Sequence, residues 1–158
     1  MFSLFEWQKS QLVFVGCVLA AILVVSQIQL RVGQMKTRDA QRKADAEIVG
    51  RALDRYYQDH EAYPAASQGL IVACGDLVDV ACNWGGDGIR DAEGVVYLKA
   101  LPTDPLASQG RKYVYTLDST GKKYRVNVAL EYRQDVDWKT NLTTKCGESI
   151  QCNWYVGN

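Results

Sequence analysis

Residues 10–30 read SQLVFVGCVLAAILVVSQIQL, and no side chain among them is charged. The centre of the stretch, residues 12–25, is almost wholly apolar. A bilayer's hydrocarbon core takes about 20 helical residues to cross. The stretch reaches that length if Ser26, Gln27 and Gln29 lie at one interface, so it is read as a spanning helix. A buried core helix is the competing reading, but the rest of the 158-residue chain is too small to sheath so uniform an apolar cylinder. A cleavable signal peptide needs a basic start and a small-residue cleavage site. Here the start holds Glu6 and a single base, Lys9, and no such site precedes Gln34.

On its C-terminal side the helical pattern continues. Residues 31–61 contain no proline, and only Gly33 and Gly50 weaken them. Ala40, Ala44, Ile48, Ala52 and Tyr56 recur at i, i+4, with Val49, Leu53 and Tyr57 widening the stripe. Arg38, Arg42, Asp45, Arg51, Asp54 and Arg55 then fall on the opposite face, expected to be solvated. Asp39–Lys43 and Glu47–Arg51 are acid-before-base pairs of the kind that supports a helix surface. Pro64 disfavours helical geometry at Tyr63 and stops the run. Spanning and amphipathic halves together predict one rod of about 50 residues, roughly 75 Å long. The domain division expected is residues 1–31 as N-terminal segment and membrane helix, then 32–158 as a head that includes the amphipathic helix to about residue 63.

Beyond Pro64 a connecting region is expected, with a short helix around residues 69–74 and turn chemistry at Asn83-Trp84-Gly85-Gly86-Asp87-Gly88. Strands follow. Residues 95–98 are short and apolar, and residues 112–117 and 124–132 flank Asp118-Ser119-Thr120-Gly121-Lys122, a hairpin connection with glycine available for positive φ. Apolar and polar residues mostly alternate from Tyr124 to Leu130, as in a strand buried on one face. The fold class predicted is α+β: a long N-terminal helix, half transmembrane and half amphipathic, packed on a small antiparallel β-sheet head.

Cysteine placement bears on the compartment. Cys74, Cys82, Cys146 and Cys152 lie in two closely spaced pairs at loop-like positions of the head, which suggests disulfides and an oxidising environment. Of three possible pairings, short spacing favours Cys74–Cys82 and Cys146–Cys152. The intervals are longer than the C-x₂₋₄-C pairs usual for structural zinc. Cys17 sits in the span as a small hydrophobe. Against the cysteines, Arg31, Lys36, Arg38, Arg42 and Lys43 follow the span, and charge bias alone would put that side in the cytoplasm. The orientation expected is a single pass of the plasma (inner) membrane with the head outside the cytoplasm.

Several stretches in this order resemble the type IV pilin and type II secretion pseudopilin superfamily. Phe2-Ser3-Leu4-Phe5-Glu6 resembles the opening of processed pilins, with Phe2 and Glu6 in matching places. Residues 38–45, RDAQRKAD, resemble the post-membrane helix of small bacterial pilins. Tyr56-Tyr57 through Tyr63-Pro64 to Gln68-Gly69-Leu70 resembles a pseudopilin helix exit, and Leu101-Pro102-Thr103-Asp104-Pro105 ahead of a tyrosine-rich hairpin is also typical. The resemblance covers nearly the whole chain. It implies a leader ending in glycine, its removal by a peptidase, and methylation of Phe2. Only Met1 stands ahead of Phe2 here, leaving open a leader encoded upstream or an end kept unprocessed. Residues 7–11 are more polar than the family's usual aliphatic run, and the span lacks the family's common proline.

What the resemblance implies is a homo-oligomeric filament subunit that waits in the membrane, then joins an extracellular pilus through assembly-platform proteins and a separate ATPase. Glu6 would neutralise a neighbouring subunit's N-terminal amine, since an unpaired charge within a bilayer is costly. Phe2, Leu12, Phe14, Val15, Leu19, Ile22 and Leu23 would pack in the filament core. The alternatives are a secretion pseudopilin and a membrane-anchored binding module that never polymerises. Direct nucleic-acid binding is not expected, because Asp39, Asp45, Glu47 and Asp54 interleave with the bases and the net charge is zero. Asp87, Asp91 and Glu93 cluster oxygen ligands of the kind calcium requires in a glycine-rich loop, but they lack EF-hand spacing, and no metal or cofactor is expected. His60, the only histidine, has no nucleophile at usable spacing. The chain is read as non-enzymatic.

Overall fold

A computed structural model describes residues 9–74 and 80–158. The architecture is α+β. Among the described residues one α-helix, α1, runs Lys9–His60, a 3-10 turn covers Ala107–Gln109, and seven short strands are present: β1 Ala65–Ser67, β2 Leu70–Val72, β3 Ile89–Arg90, β4 Val96–Leu98, β5 Val114–Leu117, β6 Tyr124–Val128 and β7 Trp154–Gly157. They form two hairpins, β1–β2 and β3–β4, and a three-stranded sheet in the order β5-β6-β7, antiparallel throughout. The chain divides into two compact units, Met1–Thr37 and Arg38–Asn158.

Within the second unit, the face of α1 that meets the head follows the predicted stripe from Val49 onward and departs from it before that point. Ala40, Ala44 and Ile48 are exposed. Val49, Ala52 and Leu53 are buried as predicted, Tyr56 and Tyr57 pack partly against the same core, and Asp39, Arg42 and Ala46 are buried in place of the earlier alanines. The buried stripe therefore begins with two charged residues and turns apolar only at Ala46. Gly50, which the sequence offers only as a weak point, lies where helix and sheet approach closely: a Cβ there would stand 3.0 Å from the Tyr124 hydroxyl. That hydroxyl donates to the Gly50 carbonyl at 3.2 Å.

The helix stops through backbone geometry ahead of Pro64. The Glu61 N–H donates to the Tyr57 carbonyl at 2.8 Å, and Glu61 takes a left-handed φ of 53°. This is the single-bond αL cap, a position glycine usually fills. The short helix expected around residues 69–74 is absent, and residues 70–72 form β2. Ser67 pairs with Leu70, so Gln68 and Gly69 are the whole loop, with φ of 51° and 85°. Two successive positive φ values mark a type I′ turn, whose twist matches antiparallel strands and closes a hairpin. Val114 lies so near Gly69 that a Cβ there would meet its Cγ1 at 2.9 Å.

The hairpin predicted around residues 118–122 is present. Leu117 pairs with Tyr124, and both the Lys122 and the Lys123 N–H donate to Asp118 Oδ1 at 3.0 Å. The strand expected over residues 124–132 ends at Val128. β7 completes the sheet by pairing Val156 with Val126.

The core is rich in tyrosine. Tyr63, Tyr97, Tyr113, Tyr115 and Tyr124 are all buried. A buried phenol needs a partner for its proton, and α1 supplies several. Tyr113 donates to Asp45 at 2.8 Å, Tyr97 reaches Asp59 at 2.8 Å, and Tyr63 donates to Asp54 at 3.3 Å. The helix aspartates thus act as acceptors for the head's phenols. Burial raises the Asp45 carboxyl above its ordinary value, and the Tyr113 bond opposes that rise. Burial, with Asp54 adding to it, pushes Tyr63 up to about 12.

Disulfides join Cys74 to Cys82 and Cys146 to Cys152, with Cα separations of 5.2 and 5.1 Å. The first lies in the main core, and the second anchors a smaller cluster with Val114 and Ala129.

Candidate functional site

Residues 12–30 carry the apolar surface that the core does not use. Leu12, Phe14, Leu19, Ile22 and Leu23 each expose more than half of their surface, and Val15 is partly exposed. The most apolar part of this stretch has a mean hydropathy of 2.3 with none of it buried, so the helix is long and apolar enough to cross a membrane. A face of this size left in water would be strongly unfavourable at about 25 cal/mol per Å², so lipid or other protein must cover it. Phe2 and Glu6 lie outside the described residues. The free cysteine, Cys17, is exposed on the same stretch.

Where the second unit begins, α1 is fastened to the head by charge. Arg42 is wholly buried. Its Nε donates to Asp104 Oδ2 at 2.7 Å and its Nη2 to Asp104 Oδ1 at 3.0 Å, a bidentate pair. Its Nη1 donates to Asp39 Oδ1 at 2.8 Å and to Glu131 Oε1 at 2.6 Å. Arg38 forms a second fork on Glu131, at 2.8 and 2.6 Å. Asp39 accepts the Glu131 and Tyr132 N–H groups, so no carboxylate in the cluster is left unsatisfied. Beside it, Lys43 bridges Asp135 and Asp137 at 2.7 and 2.8 Å.

The electrostatics follow from this geometry. Burial alone would lower the Arg42 guanidinium's pKa, but its bonds to Asp104 and Glu131 outweigh that and hold it above its ordinary value. The Arg38 bond, aided by Arg42 against the cost of burial, lowers the Glu131 carboxyl to about 2. The expectation that this face is solvated is therefore wrong for Asp39 and Arg42. It holds for Arg51, Asp54 and Arg55, which are exposed. Of the acid–base pairs read from spacing, Glu47–Arg51 stands at 3.9 Å on the surface. Asp39 turns instead to Arg42, and Lys43 to the 135–137 loop.

Asp104 and Glu131 escaped sequence reasoning. Asp104 belongs to the Leu101-Pro102-Thr103-Asp104-Pro105 stretch, whose Leu101 is also buried. Glu131 follows directly on the buried run 126–130. An acid at the end of such a run was the available signal. In the acidic loop, Asp87 Oδ2 accepts from the Asn83 N–H and side-chain amide. Asp91 and Glu93 gather instead with His60. No family model, no curated protein and no solved structure matches this chain.

Proposed function

We propose that this chain is a structural subunit of a type IV pilus-like extracellular filament, polymerising through its hydrophobic N-terminal helix. The observation that carries the reading is the uncovered apolar surface of residues 12–30, on the same helix that is locked into a disulfide-bonded head. Before assembly, lipid covers that surface. In the filament, the helices of neighbouring copies replace the lipid, so Leu12, Phe14, Val15, Leu19, Ile22 and Leu23 serve both states. Two disulfides favour a head outside the cytoplasm. The resemblance at Phe2-Ser3-Leu4-Phe5-Glu6, 38–45 and 101–105 supports a pilin-like identity over an unrelated anchored protein. Arg38, Arg42 and Lys43 are already held by carboxylates, which supports a scaffold over a direct nucleic-acid binder. Attachment, motility and DNA uptake are roles open to such a filament, and a secretion pseudopilus is its near relative.

Glu6→Ala separates anchoring from assembly. The variant is expected in the membrane at the wild-type level, with no filaments in sheared surface material. Filaments at wild-type yield would overturn the role of Glu6. Wild-type chain found only in membranes would favour the anchored binding module.

A further inference from the structure

The C-terminal end of α1 and the β3–β4 loop bring metal-ligating groups together within the head. His60 is the last residue of α1, Asp91 directly follows β3, and Glu93 lies in the connection to β4. One ligand atom from each lies within 4.8 Å of the others. His60 Nε2 and Asp91 Oδ2 are 3.2 Å apart, a direct hydrogen-bond contact that a bound ion would replace. Asp91 is fixed in place: its side chain is only 5% exposed, its Oδ1 accepts the Val95 N–H at 2.7 Å, and its Oδ2 stands 2.9 Å from the Tyr97 hydroxyl. Glu93 is exposed and reaches in from the rim.

Two features separate this group from an ordinary acidic surface. The first is charge. Asp91 and Glu93 bring two carboxylates to the point, and among the described residues no lysine or arginine forms an ion pair with either. The second is the donor set. An imidazole from a helix end joins two carboxylates from a loop, one of them rigid and buried. Calcium takes six to eight oxygen ligands and has little use for a ring nitrogen. Zinc takes nitrogen and oxygen ligands at about 2.0–2.2 Å, which puts neighbouring tetrahedral ligands roughly 3.3 Å apart. The 3.2 Å separation of His60 and Asp91 fits that bite.

We propose that His60, Asp91 and Glu93 form a binding site for a divalent cation of the zinc class. Asp91 supplies the fixed ligand, His60 the nitrogen, and Glu93 closes over the ion from the surface. Water takes the fourth position. Tyr97 is a positioning residue, its single hydroxyl lying 2.9 Å from Asp91 Oδ2, 3.3 Å from His60 Nε2 and 2.8 Å from Asp59 Oδ2. The bound ion would staple the end of α1 to the β3–β4 loop. Binding requires a neutral imidazole, so protons compete with the metal and affinity falls in acid. The site shares no residue with the apolar face, so the filament reading and this one fail independently.

The test uses the full chain in detergent micelles, without a histidine tag, titrated with zinc chloride. The chain has one histidine, so its imidazole NMR signals report on the site alone. Zinc is expected to move those signals saturably and to raise the thermal midpoint as its concentration rises. Glu93→Gln, a change on an exposed side chain, is expected to weaken binding by at least about tenfold, and Tyr97→Phe by about tenfold or more. His60→Gln should abolish the zinc-dependent rise in midpoint. Imidazole signals that zinc leaves unmoved would overturn the proposal, as would an equal midpoint shift in His60→Gln. Calcium chloride moving the same signals equally well would overturn the zinc-class assignment.

Discussion

Arg42 shows how much one residue can carry and how little of that its sequence context reveals. Its guanidinium holds Asp39, Asp104 and Glu131 together with no access to water. Removing one partner from a buried ionic cluster leaves the others uncompensated and costs about 3–5 kcal/mol. Arg42→Ala is therefore expected to destabilise the head by that amount, read by chemical denaturation of the full chain in micelles. Acid acts on the same cluster through Glu131. Its carboxyl is lowered from 4.5 to about 2 in the fold, so its stabilising contribution is complete above pH 4.5 and is lost as pH falls through 2. The denaturation midpoint should drop across that window, and Arg38→Met should flatten the drop. Periodicity places Arg42 in solvent, and spacing makes Asp39 a surface partner of Lys43, because charged side chains usually lie there. The partners that reverse this, Asp104 and Glu131, stand 62 and 89 residues from Arg42. Separations of that size leave no trace in local spacing.

Elements were legible where a local signal defined them. The helix needed only an unbroken proline-free run and Pro64 beyond it. The β5–β6 hairpin needed alternation around Gly121, which has a φ of 71°. The face of α1 is legible from Val49 to Tyr57 and misleads from Ala40 to Ile48, because small residues at i, i+4 look apolar whether buried or not. The first hairpin was missed although Gln68-Gly69 is a two-residue turn signal between apolar residues. β7 is four residues long and pairs with a strand well upstream, too short to show alternation by itself. Two substitutions test the backbone reading. Glu61 bears a left-handed φ at the helix cap, a conformation that costs a non-glycine residue about 1–2 kcal/mol. Glu61→Gly should recover about 1 kcal/mol, seen as a higher thermal midpoint. At Gly69 the left-handed φ and the nearness of Val114 act together, so Gly69→Ala should lower stability by about 1–3 kcal/mol.

For the molecule as a whole, the apolar surface of residues 12–30 and the head, tied by two disulfides and a buried ionic cluster, impose different demands on one chain. The head satisfies its polar groups internally: among the described residues, no buried side-chain nitrogen or oxygen lacks a hydrogen-bond partner. The first half of the helix satisfies its backbone in the same way, yet buries none of its apolar side chains. A helix in that condition is suited to lipid or to copies of itself. The sequence made this division plain, because uninterrupted hydrophobicity is a one-dimensional signal that needs no tertiary partner to be read. What covers the helix outside the bilayer depends on other chains and lies beyond any single sequence. The most direct test is electron microscopy of sheared cell-surface material, with mass spectrometry to identify the subunit. The filament account predicts thin filaments built of this chain, lost when Ile22→Lys puts a charge into the packing face. Shear fractions free of the chain, with all of it retained in the membrane, would contradict it.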